Sequence, residues 1–157
     1  MPYSLRPMPL TLVLALALLL ACGLIGCSGT RSPILTVVSV EQFDETVDGS
    51  AVMITLDAEN PGDEPLPLRE LLYAVRVGPA LFEGTRSPEA TLRAFGTQRL
   101  TIPAVFAAGS APASGATFTV SGTLVYVAPG ELAEALFDAG LRRPSVSFEG
   151  EGAFRTR

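Results

Sequence analysis

From Ala51 to Gly78, apolar side chains recur at every second residue on both sides of an Asn60-Pro61-Gly62 turn. A period of two admits a strand and excludes a helix, because only in a strand do residues i, i+2 and i+4 share a face. Val52, Ile54, Leu56 and Ala58 form the first row, and Leu71, Tyr73, Val75 and Val77 the second. The intervening turn has its chemistry in working order. Asn60 can accept from the backbone two residues on, Pro61 presets its own φ and steers Asn60 from helical dihedrals, and Gly62 suits the positive φ of a type II turn. Pro65 and Pro67 cannot both donate to a ladder, which predicts an edge or a crossover there. Asn60, Pro61 and Gly62 carry no reactive group, so the motif is structural.

The same alternation runs through most of the chain. Ile34 to Val40 is rich in β-branched residues, as strands prefer. Asp44, Glu45, Asp48, Gly49 and Ser50 read as a hairpin-like acidic loop, with too few oxygen ligands at fixed spacing for an EF-type calcium site. Leu81 to Arg86 reads as a short strand in which Gly84 marks a bulge or a close backbone approach. Leu100, Ile102 and Ala104 share a face, a small-residue loop runs from Ala107 to Gly115, and Gly115 to Val127 is the longest strand candidate. In that last segment Phe118, Val120, Leu124 and Tyr126 alternate with serine and threonines, an apolar-in, polar-out pattern. Glu131 to Ala139 breaks the rhythm. Leu132, Ala135, Leu136 and Ala139 take helical spacing, with Glu131 and Glu134 near the positive end and Gly140 as the residue beyond the cap. Val146, Phe148 and Phe154 are in phase on a final strand. About seven strands with one late helix predict a mainly β fold, an antiparallel β-sandwich of immunoglobulin or fibronectin-III outline.

Composition narrows the chemistry. The 157 residues carry 16 carboxylates against 11 cations and no histidine. Every cation is arginine. Without His or Lys, the commonest general base, Schiff-base amine and metal ligand are missing. Nucleic-acid binding needs a basic patch, and the sequence has no cluster larger than Arg142-Arg143. No phosphate-cradling glycine loop, Cys/His metal spacing or G-x-S-x-G elbow is present. The most enzyme-like feature is Glu149 and Glu151, two apart on a strand and so on one face. A solvated acidic sheet face explains the pair as well. The expectation is no catalytic residue, no metal and no cofactor.

The N-terminus reads as an address. Arg6 precedes an apolar run from Leu10 to Leu20, interrupted only by Thr11, and small residues follow, the layout of a secretory signal peptide. Leu24-Ile25-Gly26-Cys27 resembles the lipobox of bacterial lipoproteins, in which the cysteine is acylated and becomes the mature N-terminus. Leu19-Leu20-Ala21-Cys22 is a competing match; Cys27 is favoured by the glycine before it and the polar Ser-Gly-Thr after it. The expected organisation is therefore a lipoprotein signal peptide over 1–26, a lipidated tether over 27–32 and one domain over 33–157. Multiple acyl chains, at about 0.8 kcal/mol per buried methylene, anchor a protein without a spanning helix. Ser28 directly after the cysteine implies, by the same resemblance, the periplasmic face of the outer membrane rather than the inner membrane.

The domain also resembles the folded late-embryogenesis-abundant (LEA) proteins that contain the water-stress and hypersensitive-response (WHy) domain. The matching pieces are the strand ending in Asn60-Pro61, Leu66-Pro67-Leu68, Tyr73 in a Leu-Leu-Tyr-Ala-Val strand, Gly84 after an apolar pair, Leu100-Thr101-Ile102-Pro103, and the late helix leading into Phe-Glu-Gly. Where the family often has Asn-Pro-Asn, this chain has Gly62. The resemblance implies a two-sheet β-sandwich with one helix, no cofactor and no catalytic residues. It also implies a stress-protective role, toward desiccation among others, with client or envelope proteins and the membrane as partners and no nucleic acid. The alternative is an assembly or adaptor lipoprotein that binds one specific envelope protein.

Overall fold

The computed structural model describes residues 31–108 and 113–156. Strands β1 (Ile34–Thr46), β2 (Gly49–Glu59), β3 (Leu66–Val77), β4 (Ala80–Arg86), β5 (Thr91–Leu92), β6 (Thr97–Ala107) and β7 (Thr117–Tyr126) precede helix α1 (Glu131–Asp138) and strand β8 (Ser145–Ala153). One sheet has the order β1-β2-β6; the other has β4-β3-β7-β8, with β5 paired to the start of β3. All of these pairings are antiparallel. The fold is the expected β-sandwich, with eight strands among the described residues where about seven were anticipated.

The alternating rows become the core. Val52, Ile54, Leu56 and Ala58 on β2 are fully buried, and Leu71, Tyr73, Val75 and Val77 on β3 face them from the other sheet. Leu100, Ile102, Ala104 and Phe106 on β6 and Phe118, Val120, Leu124 and Tyr126 on β7 complete it, with Phe148 and Phe154 at the β8 side. Fully burying one such side chain is worth about 1.5–3 kcal/mol, so these rows hold the two sheets together.

Several local expectations change. Asp44 and Glu45 belong to β1, and Gly49 and Ser50 to β2, so the acidic loop shrinks to the two-residue turn Val47-Asp48. At 13 residues β1, not β7, is the longest strand, and register shifts at Val37/Ser39 and Gln42/Asp44 bend it. The Pro67 segment is no free edge. Pro67 O accepts from Val127 N–H on one flank, while Leu68 N–H donates to Ala90 O on the other. Gly84 sits in regular register opposite Tyr73 without a bulge; it allows close approach, since a Cβ there would lie 2.8 Å from the Phe82 ring.

Two of the four edge strands, β1 and β6, are protected. β1 receives the chain's own tail: Arg155 bridges Glu41, and Gln42 N–H donates to Arg155 O at 2.9 Å. On edge strand β6, Pro103 has no N–H, and its carbonyl accepts the Tyr73 hydroxyl at 2.6 Å. A partner strand therefore finds no donor at that residue, and its acceptor is already engaged by Tyr73.

The Tyr73–Pro103 bond ties one sheet to the other. Tyr73→Phe is expected to cost about 1 kcal/mol, read as a lower urea midpoint at unchanged m. Burial pushes the Tyr73 phenol up, opposed in part by Arg86. A folded pKa above the unfolded one gives a contribution that is full below about pH 10 and lost as pH rises further. The wild type should thus lose stability above that pH more steeply than Tyr73→Phe. Equal alkaline slopes would contradict this.

Candidate functional site

Asn60 is the organising residue at one end of the sandwich. Its side chain is fully buried. Oδ1 accepts from Gly62 N–H at 2.9 Å, and Nδ2 donates to Glu64 O at 2.8 Å and to Arg93 O at 3.1 Å. One amide thus closes its own turn and clamps the β5–β6 connection onto it. Gly62 does not take the positive φ expected of it. What the position requires is room, because a Cβ on Gly62 would lie 3.1 Å from Asn60 Oδ1.

The clamp holds a strained neighbour. Phe95 has φ 50°, a region that costs a bulky L-residue of the order of 1 kcal/mol or more. Its N–H donates to Gly62 O at 2.9 Å and Asn60 N–H donates to Gly96 O at 2.8 Å, which fixes the backbone there. The Phe95 ring is 74 % exposed. Nothing in the sequence distinguished this phenylalanine; a glycine after it was the only signal.

The N-terminal segment leaves the body at the same end. Arg31 donates to Pro61 O at 3.3 Å, and the Tyr126 hydroxyl donates to Ser32 Oγ at 3.0 Å. Tyr126 ends β7, and α1 begins five residues later. The exit therefore lies between the Asn60 turn and the approach to the helix. Cys27 and Cys22, the two candidates for acylation, lie outside the described residues.

Helix α1 forms where its spacing placed it, and Gly140 takes φ 70° as the residue beyond the cap. Its packing differs from expectation. None of its residues is buried, and Leu132 is 74 % exposed, with Ala135 and Ala139 exposed as well. Ala133, Leu136 and Phe137 are the half-buried residues, so the apolar stripe is turned sideways. Leu141, just past the helix, is 76 % exposed. Beside the helix a groove of about 390 Å³ runs over the outer face of β3 and β7, lined by Arg69, Arg86 and Arg143 together with Glu70 and Phe137. The Arg143 guanidinium stacks 5.4 Å from the Phe137 ring centroid.

The carboxylates do not converge. Glu149 and Glu151 are both exposed on the outward face of β8, paired with Ser121 and Thr119. Glu151 lines an open cleft of about 560 Å³ together with Glu41, Arg99 and Arg155, and Glu149 is not part of that lining. Asp57 is held below the usual carboxylate range by a two-point hydrogen-bonded pair with Arg99, at 2.8 and 3.0 Å. That pair is exposed and lies across the register of β2 and β6. Among the described residues no group of three or more acids or cysteines is placed to hold a metal ion, and no helix is long and apolar enough to cross a membrane. A second cleft, about 590 Å³ between the end of β4 and β6, is floored by Leu71, Leu100 and Ile102 and has Arg86 and Glu89 at its rim.

Over residues 55–152 the sequence matches the profile of the late embryogenesis abundant proteins. The chain belongs to that family. Its profile covers the Asn60 turn, the β3–β7 core and α1, which are the pieces that carried the resemblance. A late embryogenesis abundant protein solved in solution is 18% identical with TM-score 0.53, over 91% of this chain and 84% of that one. A structural-genomics target solved by X-ray diffraction is 13% identical with TM-score 0.51, over 76% and 85%. An Arabidopsis thaliana protein solved in solution is 13% identical with TM-score 0.49, over 85% and 91%. At these identities the structures share the fold alone. No curated protein matches the sequence. The chain is thus a LEA-like β-sandwich of a family generally without enzymatic activity.

Proposed function

We propose that this LEA-like protein is a non-enzymatic, lipid-anchored component of a bacterial cell envelope that limits damage during water loss or related stress. The observation that carries the reading is family membership together with carboxylates that stay on the solvent-facing surface, Glu149 and Glu151 among them. Such a surface retains water and repels its own copies, with a formal net charge of −5 on the whole chain. The lipobox-like Leu24-Ile25-Gly26-Cys27 supports an anchor on Cys27, which would hold that surface beside the bilayer. From there the domain meets envelope proteins as they dry or unfold.

Two measurements test this. Intact mass of the chain isolated from a bacterial membrane should show acylation, abolished by Cys27→Ala. The protein should also preserve the activity of a dried or heated test enzyme beyond an inert protein of equal charge. No margin over the control would refute the protective role.

A further inference from the structure

We infer that the end of the sandwich where the N-terminal segment leaves the body is a bilayer-docking face, on which Phe95, Leu132 and Leu141 enter the lipid interface. This rests on the anchor at Cys27 and goes beyond it, because an anchor alone would leave the domain free to present any side.

Three observations meet at that end. The first is the apolar stripe of α1. A surface helix buries its apolar stripe against the core, yet here no residue of α1 is buried and Leu132 is 74 % exposed. Leu141 extends the same unpartnered surface at 76 % exposure. The second is Phe95, an exposed aromatic held at φ 50° by the Asn60 clamp. Stability alone would favour glycine or asparagine there, so a strained, outward phenylalanine contributes only if something covers the ring. The third is the exit of the chain. Ser32 is bonded to Tyr126 on the helix side and Arg31 to Pro61 on the Phe95 side, so the exit runs between the two apolar groups.

Tether length then selects the occupant. From Cys27 to Ser32 is five residues, which span about 17 Å at most when fully extended. A bilayer holding the acyl chains is therefore within reach of this end. The opposite end, where the Val47-Asp48 turn lies, is farther by the length of β1, 13 residues at about 3.3 Å each. Amphipathic segments settle with apolar groups about 5–10 Å into the headgroup boundary. Arg69, Arg86 and Arg143 line the groove beside the helix and offer phosphate-binding guanidinium groups at the same end. Glu131, Glu134 and Asp138 on α1 and the exposed Glu59, Asp63 and Glu64 around the Asn60 turn offset that attraction, so apolar insertion is the main term.

The chain contains no tryptophan, so one introduced indole reports from one place. Full-length Phe95→Trp, Leu132→Trp, Leu141→Trp and Val47→Trp are isolated from the producing membrane and reconstituted into phosphatidylethanolamine/phosphatidylglycerol vesicles. A fraction of the lipid is brominated near the headgroup end of the acyl chain. The first three should shift to the blue and be quenched, as expected for an indole at the interfacial depth. Val47→Trp, 93 % exposed at the far end, should do neither. Acylated protein with no quenching at any position, or with equal quenching at Val47→Trp, overturns the docking face and leaves the anchor standing. Absence of quenching at every position would point to a protein as the cover of α1. An unmodified mass overturns the anchor and this face with it.

Discussion

Asn60→Ala is expected to lower stability by about 2–3 kcal/mol, and Asn60→Asp by more at neutral pH. The side chain is fully buried and makes three hydrogen bonds to Gly62, Glu64 and Arg93. Alanine deletes all three. Each is worth about 1 kcal/mol net, with some compensation because Glu64 and Arg93 sit near water. Aspartate keeps the acceptor that holds Gly62 but turns a carboxylate oxygen toward two carbonyls, where an amide had donated. Only its protonated form can donate there, so its folded pKa should lie above the unfolded value of about 3.9. Between those two pKa values the folded chain holds more protons than the unfolded one, so stability falls as pH rises through that window. Urea unfolding at about pH 7 and about pH 4.5 checks this. Asn60→Asp should recover on acidification relative to Asn60→Ala; parallel behaviour of the two would mean that Nδ2 contributes little. The Phe95 amide should also lose its hydrogen-exchange protection in both variants, since the clamp holds that strained residue.

The β-sandwich was legible because its signal is periodic. On β2, β3, β6 and β7 one face meets the other sheet and the other meets water, so burial writes itself into the sequence at every second residue. Where that asymmetry weakens, reading failed. At the end of β1 neither face is buried, so Asp44 and Glu45 looked like a loop though they are paired with Ala51 and Ser50. The helix was legible in position and length but not in packing, because spacing says that a stripe exists and not what covers it. Gly62 looked like a conformational need and is a steric one. The tether end was the least legible part: Phe95, Pro61 and Tyr126 meet there through contacts between residues far apart in sequence, and no local pattern encodes them.

The second large effect concerns how the sandwich closes at β1 and β8. A Cβ on Gly150 would fall 2.4 Å from Val37 Cβ, and a Cβ on Gly122 would fall 2.4 Å from Leu72 O and 2.6 Å from the Phe148 ring. Both glycines sit in regular ladder positions with ordinary φ, so what they supply is space. Gly150→Ala and Gly122→Ala are each expected to cost about 2–3 kcal/mol, through overpacking that a dense interior relieves only by moving strands. The two sites differ in what obstructs them. At Gly150 the obstacle is a side chain, so Val37→Gly, itself destabilising, should make Gly150→Ala cheaper by at least about 1 kcal/mol than additivity requires. At Gly122 the first obstacle is the Leu72 backbone carbonyl, and no side-chain truncation removes it. Val37→Gly should therefore add to Gly122→Ala without coupling. Double-mutant cycles from urea unfolding read both. Additive behaviour at Gly150 would mean that β1 shifts along its register irregularity at Val37/Ser39 to make room, and the β1–β8 seam would then be compliant rather than fixed.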